Sequence, residues 1–228
     1  MATLVDMMQT ALLAAQHVMR AAPPAIAVTR PPASPVHIPD GKRELVRPAM
    51  FFDAVRAITG GLDQVQVDTI NRLLAGASHW SVAWLAYGLA TAWHECRLRP
   101  IAEIGKGRGR KYGKVGKYGQ VPYGRGLVQL TWDFNYEWAD KALGLGGSLL
   151  RNFDRALEPD IAARILVVGM ETGAFTGKSL RTYLSGEVGT LEQFTKARRI
   201  INGTDRDLLI AQYAVKFQAA LQAGQWRD

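Results

Sequence analysis

Apolar residues recur at helical spacing through most of the chain and rarely alternate with polar ones as strands require. Leu4, Met7, Met8, Ala11, Leu12, Ala15, Val18 and Met19 make one stripe, which predicts a short amphipathic helix over residues 3–20. Six of the ten prolines then fall between residues 22 and 40. Proline lacks a backbone donor and disfavours helix at the preceding residue, so this stretch predicts an extended linker. From Ala49 the pattern becomes globular. Phe51, Phe52, Val55 and Ile58 predict a helix stopped by Gly60-Gly61. Val67, Ile70, Leu73 and Leu74 predict a second from about Asp63, broken at Gly76 and Ser78. The third, Trp80 to about Arg97, is apolar on every face, the mark of a buried central helix; Pro100 stops it, and His94 and Glu95 occupy its last turn. Residues 100–126, glycine-rich and poor in apolar side chains, predict a long loop or loose hairpin. Helical spacing resumes from Trp132 to Leu143, and Gly144 to Gly147 make a turn. Pro159 opens a helix to about Thr172, with Gly169 as an interruption. Leu180–Leu184 and Leu191 to about Ile201 follow, the latter ended by Asn202-Gly203. The last helix, capped by Thr204 or Asp205, carries Leu208, Leu209, Ile210, Tyr213, Phe217 and Leu221. The result is an all-α protein in three parts: a helix in residues 1–21, a linker in 22–45, and one globular domain in 46–228.

Composition changes this picture in three places. The formal charge is +8, which points to an anionic partner: nucleic acid, an anionic membrane or an acidic wall polymer. The excess is local. Between Ile104 and Trp132 lie Lys106, Arg108, Arg110, Lys111, Lys114, Lys117 and Arg125, with no acid among them. The single cysteine, Cys96, excludes an internal disulfide and a multi-cysteine zinc site. No stretch predicts a transmembrane helix. The start lacks a basic region, and Asp6, Gln9, Gln16 and His17 interrupt its apolar run, so no cleaved signal peptide is expected. The polar face of the first helix carries almost no Lys or Arg. Packing on its own domain or a second copy is therefore favoured over contact with an anionic membrane, and both stay open.

Two carboxylates stand out. Glu95 ends an apolar helix, where burial and the negative end of the helix dipole both disfavour the charged form, as a general acid requires. Glu103, eight residues on, has Lys and Arg neighbours and an expected solvent-facing position, which favour the charged form and suit activation of a water. Carboxylates driven apart in this way form the acid and base of a glycosidase. A zinc-protease motif would need a histidine where Leu98 stands. Cys96, two residues from His94 on a helix, points about 200° away from it and reads as a small buried filler. Gly105-Lys106-Gly107-Arg108-Gly109-Arg110 follows no predicted strand and opens no helix, so it is a weak phosphate-loop match. Gln129, Thr131 and Asn135 offer amide and hydroxyl groups beside the flat faces of Tyr123, Trp132 and Tyr136, a combination that suits sugar rings.

The runs Ala90-Thr91-Ala92-Trp93-His94-Glu95, Tyr118 to Thr131 and Arg198-Arg199-Ile200-Ile201-Asn202-Gly203 resemble the chitinase-like glycoside hydrolase family 19, and within it phage and prophage endolysins that cut peptidoglycan. The resemblance spans about residues 49–222. It implies a lysozyme-like helical fold with two lobes around a cleft. It also implies inverting cleavage of a β-1,4 bond next to an N-acetylated sugar, without a cofactor. On it, Glu95 is the acid and Glu103 the base. Gln129, Thr131, Asn135 and Asn202 match positions that hold substrate or the attacking water, and His94, Tyr123, Tyr136 and Arg199 are candidate substrate contacts beside them. Plant chitinases have a serine where this chain has Thr131. Two departures are Cys96, where the family often has threonine, and a loop between the acids and the Tyr-Gly-Arg-Gly run much shorter than in plant chitinases, which bears on the match of Glu103. The absence of chitinase loops that would cap a long chitin chain favours peptidoglycan. The implied protein is a monomer that acts on anionic peptidoglycan and binds no specific nucleic acid. It would stay in the host bacterial cytoplasm until lysis and then act at the periplasm and wall. A chitinase acting on chitin oligomers and a non-enzymatic module that holds wall polymer or nucleic acid remain open beside it.

Overall fold

A computed structural model describes residues 42–228. The helix expected at 3–20 and the linker up to residue 41 lie outside the described residues. The all-α expectation holds: helices dominate, and the strands are two residues long. α1 (Pro48–Thr59) starts with proline in its first turn and stops at Gly60, whose left-handed backbone returns its N–H to Arg56 O at 2.9 Å. α2 (Gln64–Gly76) begins with a capping box between Asp63 and Gln66. α3 (Val82–Cys96) is capped by Ser81 and buried along almost its whole length. It ends earlier than Pro100 requires, because Arg97 and Leu98 both adopt left-handed backbone, φ 56° and 58°.

α4 (Asp133–Ala142) and α6 (Pro159–Thr172) match their predicted spans, and Gly169 has a packing reason. A Cβ there would lie 2.1 Å from the Phe175 ring. Between them, α5 (Ser148–Arg151) and a 3-10 turn, Phe153–Leu157, are too short to show periodicity. α7 (Leu180–Tyr183) is followed by α8 (Leu191–Ala197), which continues as a 3-10 turn over Arg198–Ile200. α9 (Asp207–Ala223) has no side-chain cap; left-handed Arg206 turns the chain into it, displacing the Thr204 or Asp205 cap that was expected.

α3 lies along α9, which also packs on α8 and α1, while α2 packs on α6. Phe51, Trp80, Leu85, Leu89, Phe194 and Phe217 are fully buried between these helices, each worth about 1.5–3 kcal/mol of burial. Two small antiparallel ladders close the structure. β1 (Glu44–Leu45) pairs with β4 (Trp226–Arg227), and β2 (Ile101–Ala102) pairs with β3 (Arg125–Gly126). Arg43 N–H also donates to Ser78 O at 2.8 Å. Residues 43–45, expected as linker, are therefore part of the folded body, with Leu45 packed against the core. No helix among the described residues is long and apolar enough to cross a membrane.

Candidate active site

Glu95 sits in the last turn of α3 with only 4% of its surface exposed. Burial matches the expectation, but the carboxyl is not alone. Arg198, from the turn after α8, donates Nη1–H to Glu95 Oε1 at 2.8 Å, and the side chains are 0% and 3% exposed. Arg198 Nε also donates to Asp205 O at 3.0 Å, whereas Nη2 meets no hydrogen-bond partner among the described residues. Tyr87, Thr91 and Glu95 follow one another at helical four-residue spacing, so they share a face of α3. Tyr87 stacks on Phe194, and the hydroxyls of Tyr87 and Thr91 are buried on this face. Burial pushes the Tyr87 phenol up, an effect opposed by Arg198.

His94 is buried beside Glu95. Desolvation, reinforced by Arg198, Arg206 and Arg97, pushes its pKa down to about 3. At neutral pH it is an uncharged imidazole that can donate or accept a hydrogen bond. Cys96 is the small buried filler expected; burial raises its thiol to about 12, and it lies against Ala92 O and Leu127 O.

Glu103 follows β2 and departs from its expected setting. It is buried, 9% exposed, and neutral donors rather than lysines face its oxygens. Tyr112 Oη–H donates to Oε1 at 2.9 Å and Gly124 N–H to Oε2 at 3.1 Å, while Glu103 N–H donates to Gly124 O at 2.7 Å. Burial and the bond to Glu103 raise the Tyr112 phenol to about 12, which keeps it a donor. The loop turns back so that its cations point outward and its backbone wraps the carboxylate.

The segment from Tyr123 to Tyr136 is held by Arg125. Its Nε donates to Asp154 Oδ1 at 2.7 Å, and its Nη1 to Tyr123 O at 3.1 Å and to Tyr136 Oη at 2.9 Å; the guanidinium lies 3.5 Å from the Tyr123 ring centre. Arg125 is thus a structural hub and not a free surface charge. Tyr136 is 0% exposed, donates to Tyr123 O at 2.8 Å and stacks on Phe153 at 3.9 Å. Its ring and hydroxyl are engaged inside the segment, where contact with substrate was expected. Gly126, with φ 79°, brings its backbone against Ala156 O where a Cβ would fall 2.7 Å away.

Gln129 uses Nε2 to bridge Ile101 O and Gly126 O, both at 3.1 Å, which ties β2 to β3. Thr131 is 2% exposed and donates its hydroxyl proton to Gln129 O at 2.7 Å; Asn135 Nδ2 donates to Thr131 O at 2.7 Å. Gln129 spends both Nε2 hydrogens and Thr131 its hydroxyl proton internally, so Gln129 retains only its amide oxygen for a ligand, whereas Asn135 keeps its amide oxygen and one Nδ2 hydrogen. Asn202, half-buried, lies one turn beyond Arg198 and donates its backbone N–H to Arg198 O at 2.9 Å. Arg199 faces outward and is exposed. Of the two adjacent arginines, the inward one is Arg198. Its position four residues after buried Phe194 was the available signal, together with Tyr112 the main omission of the sequence reading.

Glu95 gathers His94 and Arg198; Glu103 gathers Tyr112, Gly124 and, through the ladder, Gln129. Next to Glu95, Cys96 Sγ lies 3.8 Å from Leu127 O. Among the described residues no cluster of His, Cys, Asp or Glu could hold a metal ion. A separate groove of about 680 Å³ between α2 and α6 is lined by Asp68, Arg72, Asp160 and Arg164, with Asp160 shared by Arg72 at 3.6 Å and Arg164 at 3.9 Å.

No protein-family model and no curated protein matches this sequence. Among solved structures, the chain is similar to chitinase C from Streptomyces griseus HUT6037, with 20% identity over 78% of this chain and 68% of that one and a TM-score of 0.44. It is similar to a mutant of chitinase C at 22% identity, with the same coverage and TM-score.

Proposed function

We propose that the chain is a glycoside hydrolase of the endolysin type that cuts β-1,4 bonds of peptidoglycan by inverting general acid–base catalysis. The observation that supports it is a pair of buried carboxylates with unlike partners, Glu95 in the last turn of α3 and Glu103 just after β2. A guanidinium meets Glu95 on the end of a helix, and two neutral donors meet Glu103 on a turn. Arg198 holds Oε1 of Glu95, which leaves Oε2 as the oxygen that turns to the leaving glycosidic oxygen. Glu103 takes the proton of the attacking water, its orientation set by Tyr112 and Gly124. The amide oxygens of Gln129, Asn135 and Asn202 are the groups left to receive sugar hydroxyl and acetamido N–H donors. Inversion needs room for a water between the carboxyls, about 6.5–9.5 Å of separation.

The reading is tested by digesting purified murein and, in parallel, chitin oligomers. Mass spectrometry of the products and NMR of the first anomer formed are the readouts. New reducing ends from murein with inverted anomeric configuration, lost in Glu95→Gln, are expected. Full lytic activity in Glu95→Gln, anhydro ends, or cleavage of chitin alone would overturn it.

A further inference from the structure

The basic stretch from Ile104 to Trp132 divides into two populations. Arg125 is buried in its hydrogen-bond network, and Lys117 pairs with Glu137 at 2.9 Å. Lys106, Arg108, Lys111 and Lys114 are exposed, and none pairs with a carboxylate among the described residues. The backbone beneath them is a run of consecutive turns: Lys106 N–H to Glu103 O at 3.0 Å, Arg108 N–H to Gly105 O at 2.9 Å, Arg110 N–H to Gly107 O at 2.8 Å, and Gly113 N–H to Arg110 O at 3.0 Å. Left-handed Gly105, Gly107 and Gly109 alternate with exposed Lys106 and Arg108 and half-buried Arg110. The run closes on itself so tightly that a Cβ on Gly113 would lie 1.8 Å from Gly107 O. Tyr112 locks it, with its ring edge on Trp132 at 5.4 Å and its hydroxyl on Glu103. Lys106 reaches back to within 6.0 Å of the Tyr123 ring.

The four cations are therefore held on a fixed scaffold fastened to the proposed base. A ligand engaging them has to carry negative charge beside the bond presented to Glu103. Chitin is uncharged. In peptidoglycan the carboxylates of the peptide stems hang from the glycan itself. We infer that Lys106, Arg108, Lys111 and Lys114 bind the stem carboxylates of peptidoglycan while the glycan strand lies beside Glu103. The inference rests on the peptidoglycan reading above. The loop opens no α-helix, only the three-residue 3-10 turn Lys111–Gly113, which separates it from the nucleotide loops that open a helix.

The test is co-sedimentation of the full chain, on ice, with purified sacculi and with sacculi whose carboxylates have been converted to amides. A variant with K106Q, R108Q, K111Q and K114Q is run beside it, its fold verified by an unchanged melting temperature. Removing the four charges weakens binding to native sacculi by about tenfold or more. The parent's binding falls with salt between about 50 and about 300 mM, and the variant's falls far less. Both chains bind amidated sacculi weakly and alike. The inference is overturned if the variant binds native sacculi as tightly as the parent. It is equally overturned if amidation leaves the parent's binding unchanged, or if duplex DNA competes sacculi off at equal charge. Charge-dependent binding by a chain that cuts no glycan would sink the glycosidase reading and leave this one standing. Glycan cleavage with charge-independent binding would do the reverse.

Discussion

Replacing Arg198 with methionine isolates what holds the proposed acid in place. Arg198 and Glu95 are 0% and 3% exposed and meet at 2.8 Å, so solvent gives the pair almost no screening. Removing one partner of a buried pair costs about 3–5 kcal/mol, because the other charge stays behind uncompensated. Two details lower the figure here. Nη2 is already buried without a partner, a cost of about 1–3 kcal/mol that the variant no longer carries, and methionine refills part of the volume. The expected loss is about 3 kcal/mol, or about 6–12 °C in melting temperature for a chain of this size. Glu95→Gln keeps an acceptor for Nη1 but leaves the guanidinium uncompensated, and it destabilises as well. The double variant removes both charges, so it is less destabilised than the two single losses added together, by about 2 kcal/mol. Urea unfolding followed by tryptophan fluorescence at pH 7 measures all four proteins. Losses that add to within about 0.5 kcal/mol would show that the charges do not sense each other, and the account of this helix end would fail.

Three further outcomes follow from the same geometry. Because the fold holds His94 neutral down to about pH 3, the unfolded chain takes up its proton first as the pH falls below about 6.5. Stability from this group is complete above that value and is lost at up to about 1.4 kcal/mol per pH unit between there and about pH 3; His94→Gln flattens that part of the curve in urea melts at pH 7, 6 and 5, and an unchanged slope refutes it. Tyr112→Phe removes the hydroxyl donor to Glu103 and costs about 1.5–3 kcal/mol of stability, with a larger fall in glycan cleavage than in binding to sacculi; equal falls would mean that the phenol orients nothing. Gly169→Ala forces a methyl into the Phe175 ring and destabilises by about 1–3 kcal/mol, and adding Phe175→Leu recovers much of it; a neutral Gly169→Ala contradicts the packing.

Periodicity made the long helices legible, since α1, α2, α3 and α6 each bury a stripe or more against a neighbour. It could not show how α3 ends, because left-handed Arg97 and Leu98 carry no glycine signature. The two carboxylates were legible as candidates, but their settings were not. Local sequence surrounds Glu103 with lysines and arginines, yet the turn sends those side chains away and folds Gly124 and Tyr112 inward. Glu95 looked like an isolated carboxyl because its partner is 103 residues further along the chain. Tyr136 has the aromatic character of a sugar platform, and only three-dimensional packing on Phe153 and Arg125 reveals it as a pillar.

The β1–β4 ladder joins Glu44–Leu45 to Trp226–Arg227, and Trp226 fixes it by donating Nε1–H to Trp80 O at 3.0 Å. The described residues thereby form a closed circuit, with residues 44–45 lying beside residues 226–227. Mechanically, a pull on the two ends loads this ladder first, opening it bond by bond while α3 and α9 stay packed. Topologically, a short peptide could join residues 43 and 228 and new ends could be cut at an exposed turn such as Gly144–Gly147 without re-routing any core helix.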